Sequence, residues 1–159
     1  MLLPKPNLLP QPRSVVIDRK GSVIAHDGVI VARPQDRFTA EWLQQRAVAY
    51  GFYWEIAAAP SDEVFTVQLR INNALGEQTY HIITEGRAII ITGGDGAGVF
   101  YGVNTLIQMI GIYGDTLPWF KIEDSPDFKA RGVMLDISRD KVPTLETPFA
   151  LIDRLALLK

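Results

Sequence analysis

Residues 131–143 read RGVMLDISRDKVP, and the run 132–138 is apolar apart from Asp136. A continuous apolar run of this length is expected of a strand covered on both faces, as in a parallel sheet. Arg139 and Asp140 then follow at its C-terminal end. The next stretch, TLETPFALIDRLALLK (144–159), has a helical period from about Glu146, with Leu151, Leu155 and Leu158 sharing one side. No Gly, Asn or Pro closes this helix, so the chain is expected to stop inside it. The pattern thus predicts a strand followed by a helix.

Upstream, GGDGAGVFYGVNTLIQMIG (93–111) predicts a glycine-rich turn that opens a helix. Val99, Val103, Leu106, Ile107 and Ile110 form one apolar stripe suited to a sheet. TAEWLQQRAVAYG (39–51) predicts another helix, with Thr39 as its cap, Phe38 as a staple and Gly51 as its stop. EVFTVQLRIN (63–72) alternates with period two and predicts a half-buried strand. QTYHIIT and RAIIIT flank Glu85-Gly86 and predict a hairpin, and Asp27-Gly28 between apolar runs predicts a second one. SVVID (14–18) predicts a strand, and residues 113–128 a loop. Prolines 4, 6, 10 and 12 favour an extended lead-in. Helix first and strands later suggests an antiparallel or mixed sheet.

The 159 residues suit one domain, or one domain and the start of another, and a hydrophobic content of 47% allows a real core. A formal net charge of -2 argues against nucleic acid as a partner, because a phosphate-binding surface needs a basic excess. With no cysteine, disulfides and thiolate metal sites are excluded. The N-terminus lacks the basic and long apolar regions of a secretory signal, so the location stays open, with the cytoplasm expected if that terminus is native. No apolar run approaches the roughly 18 residues of a membrane span.

Motifs for chemistry are sparse. The glycine segment fails as a phosphate loop because Val99 stands where a lysine is required, so a structural turn is expected. His26 and His81 are isolated, without the paired spacing of a metal helix. No serine lies in a nucleophile-elbow context. Trp42 and Trp54 suit the core, and Trp119 beside Phe120 is the tryptophan expected to be exposed. Asp124, Asp127, Asp136, Asp140 and Glu146 supply carboxylates, but their spacing singles out no pair for glycoside chemistry. An ion pair between Asp136 and Arg139 is the bland alternative to a site.

Taken in order, LLPKPNLLP, GGDGAGVFYGVNTLIQMI and DSPDFKARGVMLDISRDKVP resemble glycoside hydrolase family 20, the β-N-acetylhexosaminidases. The resemblance implies an α/β (α+β) fold in two parts. Residues 1–124 would form a zincin-like accessory domain, a mixed and largely antiparallel sheet packed on two helices. Residues 125–159 would be the truncated start of a (β/α)8 TIM barrel, with 132–138 as its first strand and 146–159 as its first helix; a whole barrel takes roughly 250 residues. Barrel active sites lie at the C-terminal ends of the strands. The resemblance therefore makes Arg139 a substrate-binding residue whose planar fork holds sugar hydroxyls, with Arg131 structural. Asp140 departs from the histidine often found there.

The implied activity is removal of terminal N-acetylhexosamine by substrate-assisted retaining hydrolysis, without metal or cofactor. A Glu and an Asp from a later strand would be the catalytic pair, so this chain by itself is expected to be inactive. Its glycan partners would be reached through the missing barrel. The uncovered last helix could fray, pack back or drive self-association. The alternative from another class is a free-standing module that binds glycans or proteins.

Overall fold

The computed structural model describes residues 6–22, 24–61, 63–138 and 142–159. Segments rich in β-branched and aromatic residues become strands β1 (Ser14–Ser22), β2 (Asp27–Val31), β3 (Tyr53–Ala57), β4 (Phe65–Ile71), β5 (Tyr80–Glu85), β6 (Ala88–Gly93) and β7 (Pro118–Asp124). Helices α1 (Arg37–Val48) and α2 (Gly96–Tyr113) interleave with them, and α3 (Glu146–Leu157) follows. The strands form a single sheet in the order β1-β7-β5-β6-β4-β2-β3. The β6-β4-β2-β3 half is parallel and the β1-β7-β5-β6 half antiparallel. The sheet is therefore mixed, as expected, but evenly divided, where the family resemblance implied a largely antiparallel one.

Alternation sends one set of side chains to the helical layer. Phe65, Val67 and Leu69 of β4 and Ile89 and Ile91 of β6 are all buried, as are Ile82 of β5 and Phe120 and Ile122 of β7. Against them α2 lays Val99, Val103, Leu106 and Ile110, each 0% exposed. Burial of such side chains stabilises by about 1.5–3 kcal/mol each, which makes α2 the main cover of the sheet. Phe52, Trp54 and Phe65 pack in sequence with their rings tilted, centroids 5.4 and 5.3 Å apart. The lead-in lies along the same helix. Gln108 of α2 brackets Leu9, accepting from its amide and donating to its carbonyl, both at 2.8 Å, and Leu8 is buried.

Several local expectations change. Asp27-Gly28 is no hairpin turn; it begins β2, which pairs in parallel with both β3 and β4. Gly28 is required by close approach, since a Cβ there would stand 2.5 Å from the Phe65 carbonyl oxygen. Thr39 is buried within α1 and caps nothing; a 3-10 turn over Pro34–Asp36 leads into that helix. Phe38 is likewise inside α1, exposed and stacked on Trp42 and Phe100. Part of the expected loop 113–128 is β7, whose Trp119 and Lys121 alternate outward against inward Phe120 and Ile122. The Glu85-Gly86 hairpin forms as expected, with Gly86 at a φ of 56°.

The largest departure concerns 132–138, which form no strand. An isolated strand leaves its amides and carbonyls without a ladder, and no neighbour among the described residues supplies one. Val133, Met134, Leu135 and Ile137 are exposed, Met134 at 95%. The helix expected from Glu146 does form, but none of its residues is fully buried.

The glycine turn before α2 tests these packing rules. A methyl on Gly98 would collide with the Thr79 carbonyl, whereas one on Gly96 meets nothing within 4 Å. Gly98→Ala should cost about 1–3 kcal/mol, and Gly96→Ala should be neutral or stabilising by up to about 1 kcal/mol. Urea unfolding of both variants checks the contrast.

Candidate functional site

The glycine segment resolves first, because its helix N-terminus is already occupied by protein. The Asp95 carboxylate accepts from the Gly98 amide at 2.7 Å and from the Gln78 amide at 3.1 Å. It supplies the negative charge that a helix N-terminus favours. This is the structural turn expected from the failed phosphate-loop spacing.

The candidate site of the fold lies at the same end of the sheet, where β7 ends and the C-terminal segment returns. Tyr80 comes from β5, Tyr101 and Thr105 from α2, and Asp124 from the last position of β7. Alternation on β5 and β7 turns Tyr80 and Asp124, which are register partners, to the helical side. There the Tyr80 hydroxyl donates to Asp124 Oδ2 at 3.0 Å and lies 2.7 Å from Thr105 Oγ1. Lys159, just past α3, places its ammonium 2.7 Å from the Tyr80 hydroxyl and 3.3 Å from Asp124 Oδ2. The Lys159 side chain is 6% exposed and that of Asp124 14%.

Arg131 closes the junction from outside. Its guanidinium donates to Tyr101 Oη at 2.9 Å, Gln78 Oε1 at 3.1 Å, the Lys159 carbonyl at 3.3 Å and the Phe128 carbonyl. Arg13 pairs with Asp127 and donates to the Ser125 carbonyl at 2.8 Å. These groups line a cavity of about 230 Å³. Among the described residues, no buried side-chain polar atom is left without a partner. The junction is a satisfied polar network and offers no acid–base pair poised over a reactant.

Electrostatics follow from burial. Desolvation lifts the Tyr80 phenol above its usual range, opposed by the Thr105 hydrogen bond and aided by the Asp124 charge. Desolvation pulls the Lys159 ammonium below its usual range, and the Asp124 charge only partly restores it. The two groups act on stability in opposite directions. Above about pH 10 the folded chain keeps a Tyr80 proton that the unfolded chain has lost, so stability falls as pH rises. Up to about pH 10.5 folded Lys159 releases its proton before the unfolded chain does, which raises stability with pH.

The other sequence candidates are dispersed. Arg139 and Asp140 lie outside the described residues. The Asp136 carboxylate accepts from the Ser138 amide at 2.8 Å and its hydroxyl at 2.6 Å, closing a local turn. His26 has Nδ1 3.0 Å from the Gly51 carbonyl and stacks on Phe52, while His81 sits half-buried on β5. No three metal-ligating side chains gather among the described residues. Trp54 is buried and donates to the Ala25 carbonyl, Trp42 donates to Asn104, and Trp119 is the exposed tryptophan. Arg131 has the structural role expected of it. Sequence reasoning misses Lys159, Tyr80 and Asn104. Only Asn104 carries a sequence signal, as a polar residue inside the apolar run of α2.

Tyr80 and Tyr113 are both raised by burial. In an ultraviolet-absorbance titration of the folded chain, burial should delay the ionisation of both. Tyr80→Phe should remove the later of the two transitions.

Comparison with known proteins places this architecture. The family model described as glycosyl hydrolase family 20, domain 2, matches residues 5–125. An N,N'-diacetylchitobiase of Vibrio harveyi is 33% identical over 96% of this chain and 17% of its own length. A β-hexosaminidase of Vibrio furnissii is 30% identical over 98% of this chain and 24% of its own length. The chain thus spans about a quarter or less of these relatives. Among solved structures, a family 20 β-N-acetylglucosaminidase superposes with a TM-score of 0.78 at 28% identity, covering 97% of this chain and 29% of that one. The β-N-acetylhexosaminidase of Streptomyces coelicolor A3(2) gives a TM-score of 0.75 at 25% identity, covering 95% and 32%. An accessory layer of this architecture, matched by that model and by those hexosaminidases, identifies the chain as a member of glycoside hydrolase family 20.

Proposed function

We propose that residues 1–124 are an accessory domain that supports a catalytic (β/α)8 barrel, and that residues 125–159 are the barrel's first βα unit. The longer protein then removes terminal N-acetylhexosamine from glycans by substrate-assisted retaining hydrolysis. Support comes from the family membership, from the hexosaminidase names of the relatives and from one physical observation. That observation is the strand-competent run 132–138, which has no ladder and exposes Val133, Met134, Leu135 and Ile137. A barrel strand is flanked by two neighbours and covered on both faces, a setting that would satisfy this sequence.

In this reading Arg139, at the C-terminal end of the first strand, reaches the active-site face. Its fork of donors holds hydroxyls of the terminal sugar. The sugar's acetamido oxygen attacks the anomeric carbon, a Glu protonates the departing oxygen and an Asp orients the acetamido group. Both carboxylates belong to a later strand, so the 159-residue chain has no hydrolase activity. Left uncovered, Phe149, Ile152 and the exposed residues of 133–137 favour self-association of the isolated chain.

An aryl N-acetylglucosaminide assayed with this chain and with a longer product of the same reading frame tests the proposal. Turnover is expected from the longer protein alone. Turnover by the short chain, or glycan binding by it, would overturn the division of labour. Among the described residues, none beyond Ile122 belongs to the buried apolar cluster, so deletion of 129–159 should leave a cooperative thermal transition and a more soluble domain. Loss of that transition would move the boundary.

A further inference from the structure

Helix α3 poses a problem of attachment. It has twelve residues, none fully buried, and Phe149 and Ile152 face solvent at 62% and 59% exposure. A helix this short is marginal in water by itself. Leu151, Leu155, Ala156 and Leu157 are only half-buried, and its C-terminal end adds the specific polar contacts.

Those contacts answer the chemistry of a helix end. The last turn of any helix presents carbonyls without intrahelical partners. In the last turn of α3 the Ala156 carbonyl accepts from the Lys159 amide at 3.3 Å and, with better geometry, from Nδ2 of Asn104 on α2 at 2.7 Å. Asn104 is itself 0% exposed and is oriented by the Trp42 indole, which donates to its Oδ1 at 2.9 Å. Arg131 donates to the Lys159 carbonyl. Beyond the helix end, the Lys159 side chain enters the accessory layer and meets the Tyr80 hydroxyl and the Asp124 carboxylate. Asp124 is held by Tyr80 and by the Arg13 amide at 3.3 Å.

We propose that the accessory domain carries a built receptor for the C-terminal end of α3. Asn104 takes the helix carbonyl, Tyr80 and Asp124 take the Lys159 ammonium, and the helix is thereby set in one position on the domain. The partner is intramolecular: a helix end that offers a last-turn carbonyl and, one turn on, a primary ammonium. Lys159 is a positioning residue in this scheme. It rests on the glycosidase reading only for its consequence, that the accessory domain fixes where the first barrel unit stands.

Amide hydrogen exchange on the whole 159-residue chain, read by mass spectrometry, tests the receptor without any activity assay. Lys159→Met keeps the aliphatic stem and removes the ammonium. Exchange across α3 should rise by about tenfold or more, with β4 and β6 unchanged, as for a local opening. Asp124→Asn should loosen α3 in the parent chain and have no further effect on it in the Lys159→Met background, as for two groups acting through one contact. Exchange of α3 within about twofold of the parent in Lys159→Met, fully additive effects of the pair, or an α3 already unprotected in the parent would each overturn the proposal. If Asp124→Asn also loosens the sheet, Tyr80→Phe replaces it in the cycle, with the same outcomes deciding. A chain that passes this test while its longer form fails to hydrolyse glycosides would leave the receptor standing and remove only the glycosidase reading.

Discussion

One apolar face of a seven-stranded sheet must be kept from water; α1 covers β2 and β3, and α2 keeps the rest of it. The helix can do so because its glycines let it lie close to the strands and the β4–β5 connection. Gly102 faces Ile91 and Tyr80, and Gly98 faces the Thr79 carbonyl. With the helix at that distance, its aliphatic stripe reaches β4, β5 and β6 together. The lead-in strapped to Gln108 and the position of Asn104 both depend on this contact, since each is set by where α2 lies.

The same physics explains why the C-terminal segment behaves differently. Strands β4 and β6 have neighbours that accept and donate along their length. Residues 132–138 have a comparable composition without neighbours, and the backbone there adopts no regular structure. A strand is a property of a pair, whereas a helix satisfies its own backbone. This is why the predicted α3 forms and the predicted strand beside it does not. Besides the half-buried Leu151, Leu155 and Leu157, polar contacts join α3 to the domain, a carbonyl held by Asn104 and a lysine held by Asp124 and Tyr80. Contacts of this kind specify position more than they add stability, because desolvation offsets much of their attraction.

Legibility followed the range of the interactions. The β5–β6 hairpin and the body of α2 were readable because turn chemistry and helical stripes are local. The Asp27-Gly28 turn was misread because a glycine in a turn and a glycine under a neighbouring strand look alike in one dimension. β7 was missed since Pro118 and the acidic residues around Asp124 gave its alternating core the composition of a loop. The junction was nearly invisible. Lys159 stands 35 residues from Asp124 and 79 from Tyr80, and no spacing rule connects them.

By itself the sequence determined the elements whose hydrogen bonds close within a few residues: α2, α3, the β5–β6 hairpin and the period-two pattern of β4. It also carried the family resemblance. Only the tertiary structure decided the strand order, the even division between parallel and antiparallel pairing, and the meeting of Lys159 with Asp124 and Tyr80. Those features depend on which distant segments share a ladder or a buried space, and that is settled by burying one common apolar face rather than by any local preference of the chain.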